Sequence, residues 1–571
     1  MVDTELEAPS YARVSYDRQG TGRLWPILLV LLALLTLACF CPAFISEEDE
    51  TAYAAWFGWA EDTGRAVDAP LTGEEAAQIV RDRSQSDEAL VSAMFDGESA
   101  LGFDAKGRTF YCSVGLENGD AWPALSLSAK GAADVRVAWL DDYAQDSCAQ
   151  GIRQGRRYEL LAYTQDAYER IGIVFTGLPI VSLNVQDGAQ IAGEDVSAEI
   201  HIAGAGYEAL HSMALVHERG GGYRRDGMKA SLHVELRTRA ASGHERKNMA
   251  SVLGMDADSD WLLLSCEQDS LIVRNSFSWA LWRDWNDGEG VAMLDSRFVE
   301  VFVDGEYAGI YQLLQRVDAQ RELLAMGGNP HTDVVGRHIR EKNAGKRPRI
   351  YNSEGLPYYE MRYIPAGMSF RAARGVMQDY LTLVRQPYAL DAQAFAELVS
   401  SRVDIPEALS YYVYMQVLAL GEDNTINNLY TWALRDQDGY HYILSPWDMD
   451  KALVPENVVN EAGEDSICMT MYWINRMLDL NVGGCRALLW DIWREKRATL
   501  LEESAYAQRF DELQAMIDGC GAFSRNEVRW NGEEANFDLS GLKAYALSHL
   551  DTVEREFARL WPVDDGADTE T

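Results

Sequence analysis

The stretch that decides the fold runs from Gly421 to Asp450 and reads GEDNTINNLYTWALRDQDGYHYILSPWDMD. Two runs rich in aromatic and aliphatic residues flank Arg435–Gly439, whose composition is typical of a turn, so the sequence predicts a β-hairpin. Across an antiparallel hairpin, the numbers of opposed residues sum to a constant. A two-residue turn would place Asn428 opposite position 449 and a four-residue turn opposite 447, so either register brings Asp448 beside Asn428.

Asn428 and Asp448 offer one amide and one carboxylate oxygen at the end of the paired strands. Hard cations such as Mg²⁺ prefer such ligands and keep waters and substrate phosphates in their other positions. Asp423 lies five residues before Asn428, after the apolar, helix-like run Tyr411–Leu420. An Asp, four residues, an Asn and then an Asp beyond a hairpin is the spacing that protein kinases use for base and two metal ligands. Loops of Asp and Asn are also common as ordinary turns, which is the alternative.

Five sequence blocks, in the same order, resemble the spore-coat protein H (CotH) kinase family. The blocks are Arg219-Gly220 with Lys229-x-Ser231, Asp260-Trp-Leu-Leu-Leu with Val273-Arg-Asn-Ser, Val299 to Tyr311, Asp423-x4-Asn428-Leu-Tyr, and Pro446-Trp-Asp-Met-Asp450. The resemblance extends over about residues 177 to 560.

The resemblance implies an α+β fold, of the atypical protein-kinase-like type, with a β-rich N-terminal lobe and a helical C-terminal lobe. It implies ATP with Mg²⁺ or Mn²⁺ as cofactors and a Ser or Thr of a protein as phosphate acceptor. The implied site residues are Asp423 as catalytic base, Asn428, Asp448 and Asp450 as metal ligands, and Lys229, Arg219 and Arg274 as contacts to the nucleotide phosphates.

Two departures from the family pattern leave a second function open. Gln315 stands where the family commonly has Glu, and Asn427 replaces a frequent Lys. Loss of the carboxylate at 315 would remove a charge partner for Lys229 or a metal contact. A catalytically inactive scaffold or interaction protein on the cell envelope is therefore the alternative to an active kinase.

Residues 24–45 contain no charged residue and are numerous enough to cross a bilayer as a helix. Arg13, Arg18 and Arg23 precede this stretch and the acidic run 47–50 follows it. This excess of positive charge on the N-terminal side of the apolar stretch predicts a single-pass protein in the cell membrane, with residues 1–23 in the cytoplasm and the bulk of the chain outside. A cleaved signal peptide is the weaker alternative, because the following segment lacks a good small-x-small site.

The rest of the chain is predicted in four parts. They are a juxtamembrane segment at 46–99 with a helix over Leu71–Val91, a small, mostly β accessory domain at 100–176 with a binding or spacing role, the kinase-like domain at 177–560, and a disordered acidic tail at 561–571.

Composition narrows the partners. Acidic residues outnumber basic ones 89 to 51, for a net charge of -38, which repels phosphate backbones, so nucleic acid is not expected. The basic cluster Arg337–Arg349 is interpreted as a solvated loop rather than a phosphate site. The cysteines outside the apolar span show no zinc-ligand spacing, and Cys112 with Cys148 is a candidate disulfide.

Overall fold

The computed structural model describes most of the chain beyond residue 64. The described ranges are 65–97, 99–115, 122–129, 134–140, 147–220, 228–239, 244–287, 294–339, 349–350, 358–421, 424 and 428–563. Gly64–Thr571 form one compact unit. The predicted membrane span at 24–45 and its cytoplasmic tail lie outside these ranges. Within them, no helix has both the length and the apolar character that crossing a membrane requires.

The described residues between 65 and 176 form two sheets and two helices. Their elements are β1 Arg65–Ala66, α1 Gly73–Asp82, β2 Ser84–Gln85, β3 Val91–Asp96, β4 Ser99–Ala100, β5 Gly102–Asp104, β6 Thr109–Ser113, β7 Leu125–Ala129, β8 Arg136–Trp139, α2 Cys148–Arg153, β9 Arg157–Tyr163 and β10 Ala167–Thr176. One sheet has the order β1-β7-β3-β4, and the other β5-β6-β10-β9-β8 with β2 beside β10. Sheet pairing therefore continues across the boundary predicted at residue 100.

Helix α1 begins where the sequence predicts but is shorter. Thr72 caps it, because its hydroxyl accepts from the Glu75 amide and the Glu75 carboxylate accepts from the Thr72 amide. The prediction that it extends to Val91 is wrong: the helix ends at Asp82, and Val91 starts a strand that pairs with β7. Serines and aspartate at 84–87 favour a turn over helix continuation.

The candidate disulfide is not formed. Cys112 and Cys148 are both buried and are not joined to each other, and burial raises the pKa of the Cys112 thiol well above its ordinary value.

Residues 180–315 are built around a closed β-barrel. The elements are β11 Ile180–Val185, β12 Val196–Ala203, β13 Leu210–Arg219, β14 Ser231–Arg239, β15 Glu245–Lys247, β16 Ala250–Val252, β17 Met255–Asp258, β18 Asp260–Leu264, α3 Arg274–Trp285, β19 Ser296–Val303 and β20 Glu306–Gln315. Seven strands pair in the order β11-β12-β13-β14-β18-β20-β19, and β19 returns to β11 in parallel. The sequence predicted a β-rich lobe here. The β13–β14 pairing, which closes the sheet into a barrel, was not predicted.

Alternation along the strands fills the barrel. On β14, Leu232, Val234 and Leu236 pack inside with Trp261 and Tyr311, so the residues between them face outward. Trp261 is 1% exposed, so it is a core residue of the barrel. The outer face of the barrel consequently carries the polar side chains of β13 and β14.

Residues 319–560 contain a further sheet, of five strands, that is surrounded by helices. The elements are α4 Ala319–Ala325, β21 Val334–Ile339, β22 Arg349–Ile350, β23 Tyr358–Tyr363, α5 Phe370–Val376, α6 Gln378–Arg385, α7 Ala392–Arg402, α8 Ile405–Val417, β24 Leu429–Arg435, β25 Tyr440–Pro446, α9 Tyr472–Asp479, α10 Cys485–Ala498, α11 Glu503–Cys520, α12 Phe523–Asn531 and α13 Ser540–Leu560. The sheet order is β22-β23-β21-β24-β25. The apolar α8 lies in the centre of the core, with Tyr411, Tyr412 and Tyr414 fully buried.

The C-terminal helices agree with the sequence, but the start of the predicted tail does not. Trp561 is fully buried. Its indole nitrogen donates to Asp479 and its carbonyl accepts from Trp490. The apolar contacts of this side chain therefore extend the folded part past residue 560, while 564–571 lie outside the described residues.

Gly309 on β20 tests the packing of α12 against the barrel. Its φ is +100°, and a Cβ would come within 2.5 Å of Asn526 Oδ1. We expect Gly309→Ala to lower the free energy of unfolding by about 1–3 kcal/mol, since both backbone strain and overpacking oppose it. Thermal denaturation followed by circular dichroism measures this. Gly375→Ala, in helix α5 with open space around it, is the control and should leave the melting temperature unchanged or slightly higher. Equal melting temperatures for the two variants would contradict the packing described.

Candidate active site

The hairpin predicted from the sequence is present, with the longer of the two turns. Arg435 pairs with Tyr440 and Leu429 with Pro446, so residues 436–439 form a four-residue turn. Just beyond the paired strands, the Trp447 amide donates to the Asn428 carbonyl at 3.1 Å. Asp448 is therefore the residue after the one that lies opposite Asn428. The hydrogen bond between Trp447 and Asn428 holds this part of the chain beside the start of β24.

Helix α3 braces the backbone on both sides of Asp448. The Asn275 side-chain oxygen accepts from the Met449 amide at 2.7 Å, and the Trp279 indole nitrogen donates to the Trp447 carbonyl at 3.0 Å. Arg274 Nε donates to the Ala452 carbonyl at 2.8 Å, and its guanidinium also pairs with Asp269. The predicted phosphate contact Arg274 therefore lies beside the acidic residues and supports their backbone.

The loop before β24 contributes a second brace. Asn424 is 1% exposed, and its side-chain nitrogen donates to the Asp448 carbonyl at 2.7 Å. The predicted base, Asp423, lies outside the described residues, as do 422 and 425–427. Asn424 was overlooked in the sequence because an Asn in an acidic loop is ordinarily a turn residue.

Asp448 and Asp450 are two acidic groups held close together with restricted access to water. Burial raises the pKa of Asp448, while the nearby Arg219 guanidinium opposes this shift. Burial, together with the negative charges of Asp448 and Asp269, raises the pKa of Asp450 to about 7. Carboxylates that repel each other in this way are stabilised by a cation. Carboxylate and amide oxygens, such as those of Asp448, Asp450 and the neighbouring Asn428, are the ligands that Mg²⁺ takes together with water or phosphate.

A cavity of about 180 Å³ with a strongly basic lining lies next to this acidic group. Its lining comprises His217, Arg219, His233, Leu262, Arg316, Val317, Arg337, Arg362, Tyr430 and Trp447. The Arg219 guanidinium lies 5.9 Å from the centre of the Trp447 ring, and burial lowers its pKa to about 10 even though Asp448 opposes that shift. The cavity is on the scale of a phosphate-bearing group, and its charge is complementary to one.

Arg337 corrects the interpretation of the basic cluster. It is not in a solvated loop but on strand β21, and its guanidinium lies 5.6 Å from the centre of the Tyr430 ring. Arg362 lies over the same ring at 5.9 Å, and both arginines are within 3.5 Å of the Glu360 carboxylate. Residues 340–348 of the cluster lie outside the described residues.

Lys229 does not line this cavity. It is 5% exposed, and its ammonium donates to the Ile310 carbonyl and, at 3.0 Å, to the Asn526 side chain. Its nitrogen also lies 4.4 Å from the centre of the Tyr311 ring. Burial lowers the pKa of Lys229 to about 8. The structure therefore brings together Arg219, Asn428, Asp448, Asp450 and Arg274, with Lys229 held apart by α12.

Gln315 is not placed to be a partner of Lys229. It pairs with Trp261 across the barrel strands, and its amide donates to the Asp256 carbonyl at 2.6 Å. The acidic groups whose charges act on Lys229 are Glu267 and Glu527. The Glu-to-Gln departure at 315 consequently takes no charge partner away from Lys229.

The family model for the CotH kinase protein matches residues 216–550, more than half of the chain. The chain belongs to the CotH kinase family. A search of curated proteins found no match. The matched range includes β14, α3, the hairpin and the lining of the basic cavity.

The raised pKa of Asp450 leads us to expect that the metal-free protein becomes less stable as the pH rises. Its pKa is raised from 3.8 to about 7 in the fold, so the stability it contributes is full below pH 4 and is lost as pH rises through 7. In EDTA at pH 8, we expect Asp450→Asn to melt roughly 1–3 °C above the wild type, with a smaller gap at pH 5. Calorimetry measures this, with the exposed Asp438→Asn as control. A wild type that is more stable than Asp450→Asn at pH 8 would refute it.

We expect Asn275 to support the backbone of the segment that carries Asp448 and Asp450. Replacing it by alanine leaves the buried Met449 amide without its acceptor, which should cost about 1–3 kcal/mol of stability. Because the Asp448 backbone loses a brace, we expect Mn²⁺ affinity to fall about 10-fold, as for other outer-shell changes. Isothermal titration with Mn²⁺ tests this. Asn286→Ala, at the other end of α3 where the side chain donates to its own helix, should bind as the wild type does. Equal affinity for both variants would contradict the support role.

Proposed function

We propose that this CotH kinase protein is a Mg-ATP-dependent kinase. It would transfer the γ-phosphoryl group of ATP to a Ser or Thr of a cell-surface or spore-envelope protein. The observation that carries this proposal is the pairing of two half-buried carboxylates, Asp448 and Asp450, with a basic cavity that starts at Arg219. Acidic groups for a cation beside basic groups for an anion are what a metal-bound polyphosphate requires.

Asn428, Asp448 and Asp450 would hold the metal ion. Bound Mg²⁺ would neutralise negative charge on the phosphate oxygens. The protein's own contribution is rigidity: Asn275, Asn424 and Trp279 fix the backbone from 447 to 449. Ligands fixed in advance do not have to be ordered when substrate binds.

In the proposed reaction, Asp423 accepts the proton of the acceptor hydroxyl. The hydroxyl oxygen forms a bond to the γ-phosphorus, the bond from that phosphorus to the β–γ bridging oxygen breaks, and ADP leaves. Arg219 would orient phosphate oxygens from the cavity side. Arg274 acts through Ala452 and Asp269 as a positioning residue, and Lys229 would contact phosphate only if it exchanged Ile310 or Asn526 for it.

The contacts of Lys229 favour the second candidate function, a catalytically inactive scaffold. Its ammonium is already engaged by Ile310 and Asn526, whereas an active kinase commonly uses a lysine on the nucleotide phosphates.

For either function, we propose from residues 24–45 that the protein is anchored in the cell membrane with its N-terminus in the cytoplasm.

Phosphoryl transfer by the purified full-length chain tests the proposal. With labelled ATP and Mg²⁺ or Mn²⁺, we expect label on Ser or Thr of the protein itself or of a generic acceptor such as casein. Asp423→Ala should reduce the rate roughly 10²–10⁴-fold, because the base is lost, and Asp448→Ala should abolish transfer because a metal ligand is lost. Asp438→Ala, in the turn of the same hairpin, should retain the wild-type rate. Absence of transfer with either metal, from a protein that is folded by circular dichroism, would support the scaffold.

A further inference from the structure

Three adjacent strands of the barrel bring a second set of ligand side chains together, on the outer face. His217 on β13 and His233 on β14 are directly opposite each other in the antiparallel register. Asp195 immediately precedes β12, whose first residue, Val196, pairs with Val216. Directly opposed side chains on one face of a sheet are close enough to share a ligand. The register therefore presents two imidazoles and a carboxylate side by side.

The distances support a metal centre. One oxygen of Asp195 and one ring nitrogen of each histidine all lie within 4.8 Å of one another. Asp195 Oδ1 is 2.6 Å from His217 Nδ1, and the two imidazole ring centres are 4.7 Å apart. In the part of the chain that the structure describes, no other three His, Cys, Asp or Glu side chains converge in this way.

His233 supplies an independent observation. It is 8% exposed, its Nε2 lies 3.1 Å from Asp260 Oδ1, and its Nδ1 is buried with no hydrogen-bond partner. When Nε2–H donates to Asp260, Nδ1 carries the lone pair. A buried acceptor without a donor costs free energy unless a ligand satisfies it.

Asp260 is itself fixed in place. Lys247 Nζ donates to Asp260 Oδ2 at 2.6 Å, and Arg316 approaches Oδ1 at 3.3 Å. A carboxylate that accepts a hydrogen bond from an imidazole and orients it from behind is the usual support of a metal-binding histidine.

We propose that Asp195, His217 and His233 bind a transition-metal ion of the Zn²⁺ class. Two imidazoles and one carboxylate are the donor set that Zn²⁺ takes, whereas Mg²⁺ and Ca²⁺ prefer oxygen ligands. Bond lengths near 2.0–2.1 Å place tetrahedral ligand atoms about 3.3 Å apart, so the ion replaces the proton shared by Asp195 and His217 and the two atoms separate slightly. The side chain of Asp195 is 56% exposed, which leaves it free to adjust.

Three protein ligands leave one position of the ion open. His217 and His233 both line the basic cavity with Arg219 and Arg316. Water or an anionic group in that cavity would complete the coordination. The site is composed of residues other than those proposed for Mg²⁺, and the inference does not depend on kinase activity.

Zinc binding to the full-length protein tests the proposal. After the metal is stripped with a chelator and Zn²⁺ is added, titration calorimetry and elemental analysis should find one Zn²⁺ bound at this site in each protein chain. We expect His217→Ala and His233→Ala to weaken binding at least ~100-fold, and Asp260→Asn to weaken it roughly 10–100-fold because the orienting carboxylate is lost. Substitution with Co²⁺ should give the visible absorption of a tetrahedral ion in the wild type and not in either histidine variant.

The chain offers a matched control. His441 Nδ1 lies 2.8 Å from Asp436, and this pair has nearly the exposure of His217 and Asp195, with side chains 28% and 52% exposed against 30% and 56%. No second imidazole of the described residues joins this pair, so His441→Ala should bind Zn²⁺ as the wild type does. Asp448→Asn should also retain the site.

Two results would overturn the inference. One is unchanged zinc affinity in His217→Ala, a half-exposed position where the apo variant is expected to fold with a wild-type melting temperature. The other is loss of zinc in Asp448→Asn but not in the histidine variants, which would locate the ion at the hairpin. If His233→Ala does not fold, Asp195→Ala and His217→Ala still decide the question.

Discussion

Hydrogen bonds from helix α3 to the segment that follows β25 are the contacts on which the candidate active site depends. Asn275, Trp279 and Arg274 each hold a main-chain group between Trp447 and Ala452. Without them, Asp448 and Asp450 would move apart or toward water, since two carboxylates held close together in a restricted space repel each other. Burial raises the pKa of both carboxyl groups, and the charge of Asp448 adds to the shift at Asp450. A bound cation stabilises the ionised carboxylates, so we expect metal binding to increase the stability of the fold.

The site is a boundary between opposite charges. On one side are Asp448 and Asp450, and on the other are the arginines of the basic cavity, which come from β13, β21, β23 and the residue after β20. The barrel supplies Arg219, while the sheet formed by β21 to β25 supplies Arg337 and Arg362 from strands that pair with each other. Because these three arginines are on β-strands, their positions are fixed before a ligand arrives.

The parts of the site that the sequence predicted are those encoded locally. The hairpin follows from the turn residues between Arg435 and Tyr440, which left two registers open, and the resemblance to the CotH kinase family follows from short blocks in order. The terminal helices, with apolar residues at helical spacing, were likewise predictable. Helix α1 was overextended because apolar residues beyond Asp82 fit a helix as well as a strand, and pairing with β7 decides between them.

The parts that the sequence did not reveal depend on contacts between distant residues. Lys229 is engaged by Asn526, 297 residues away, so no local pattern could show that its ammonium is occupied. Closure of the barrel by β13 and β14 sets His217 opposite His233, although the spacing of cysteines and histidines along the chain gave no sign of a zinc site. Arg337 was interpreted as solvated because its neighbours in the chain are basic, whereas the sheet directs it to Tyr430.

The most direct test of the central claim is a crystal structure of the protein with Mn²⁺ and a non-hydrolysable ATP analogue, using the anomalous signal of manganese. The account predicts a manganese peak within coordination distance of Asn428 and Asp448, with analogue phosphates between the ion and Arg219. Manganese found away from both residues, or phosphates bound outside the basic cavity, would contradict it.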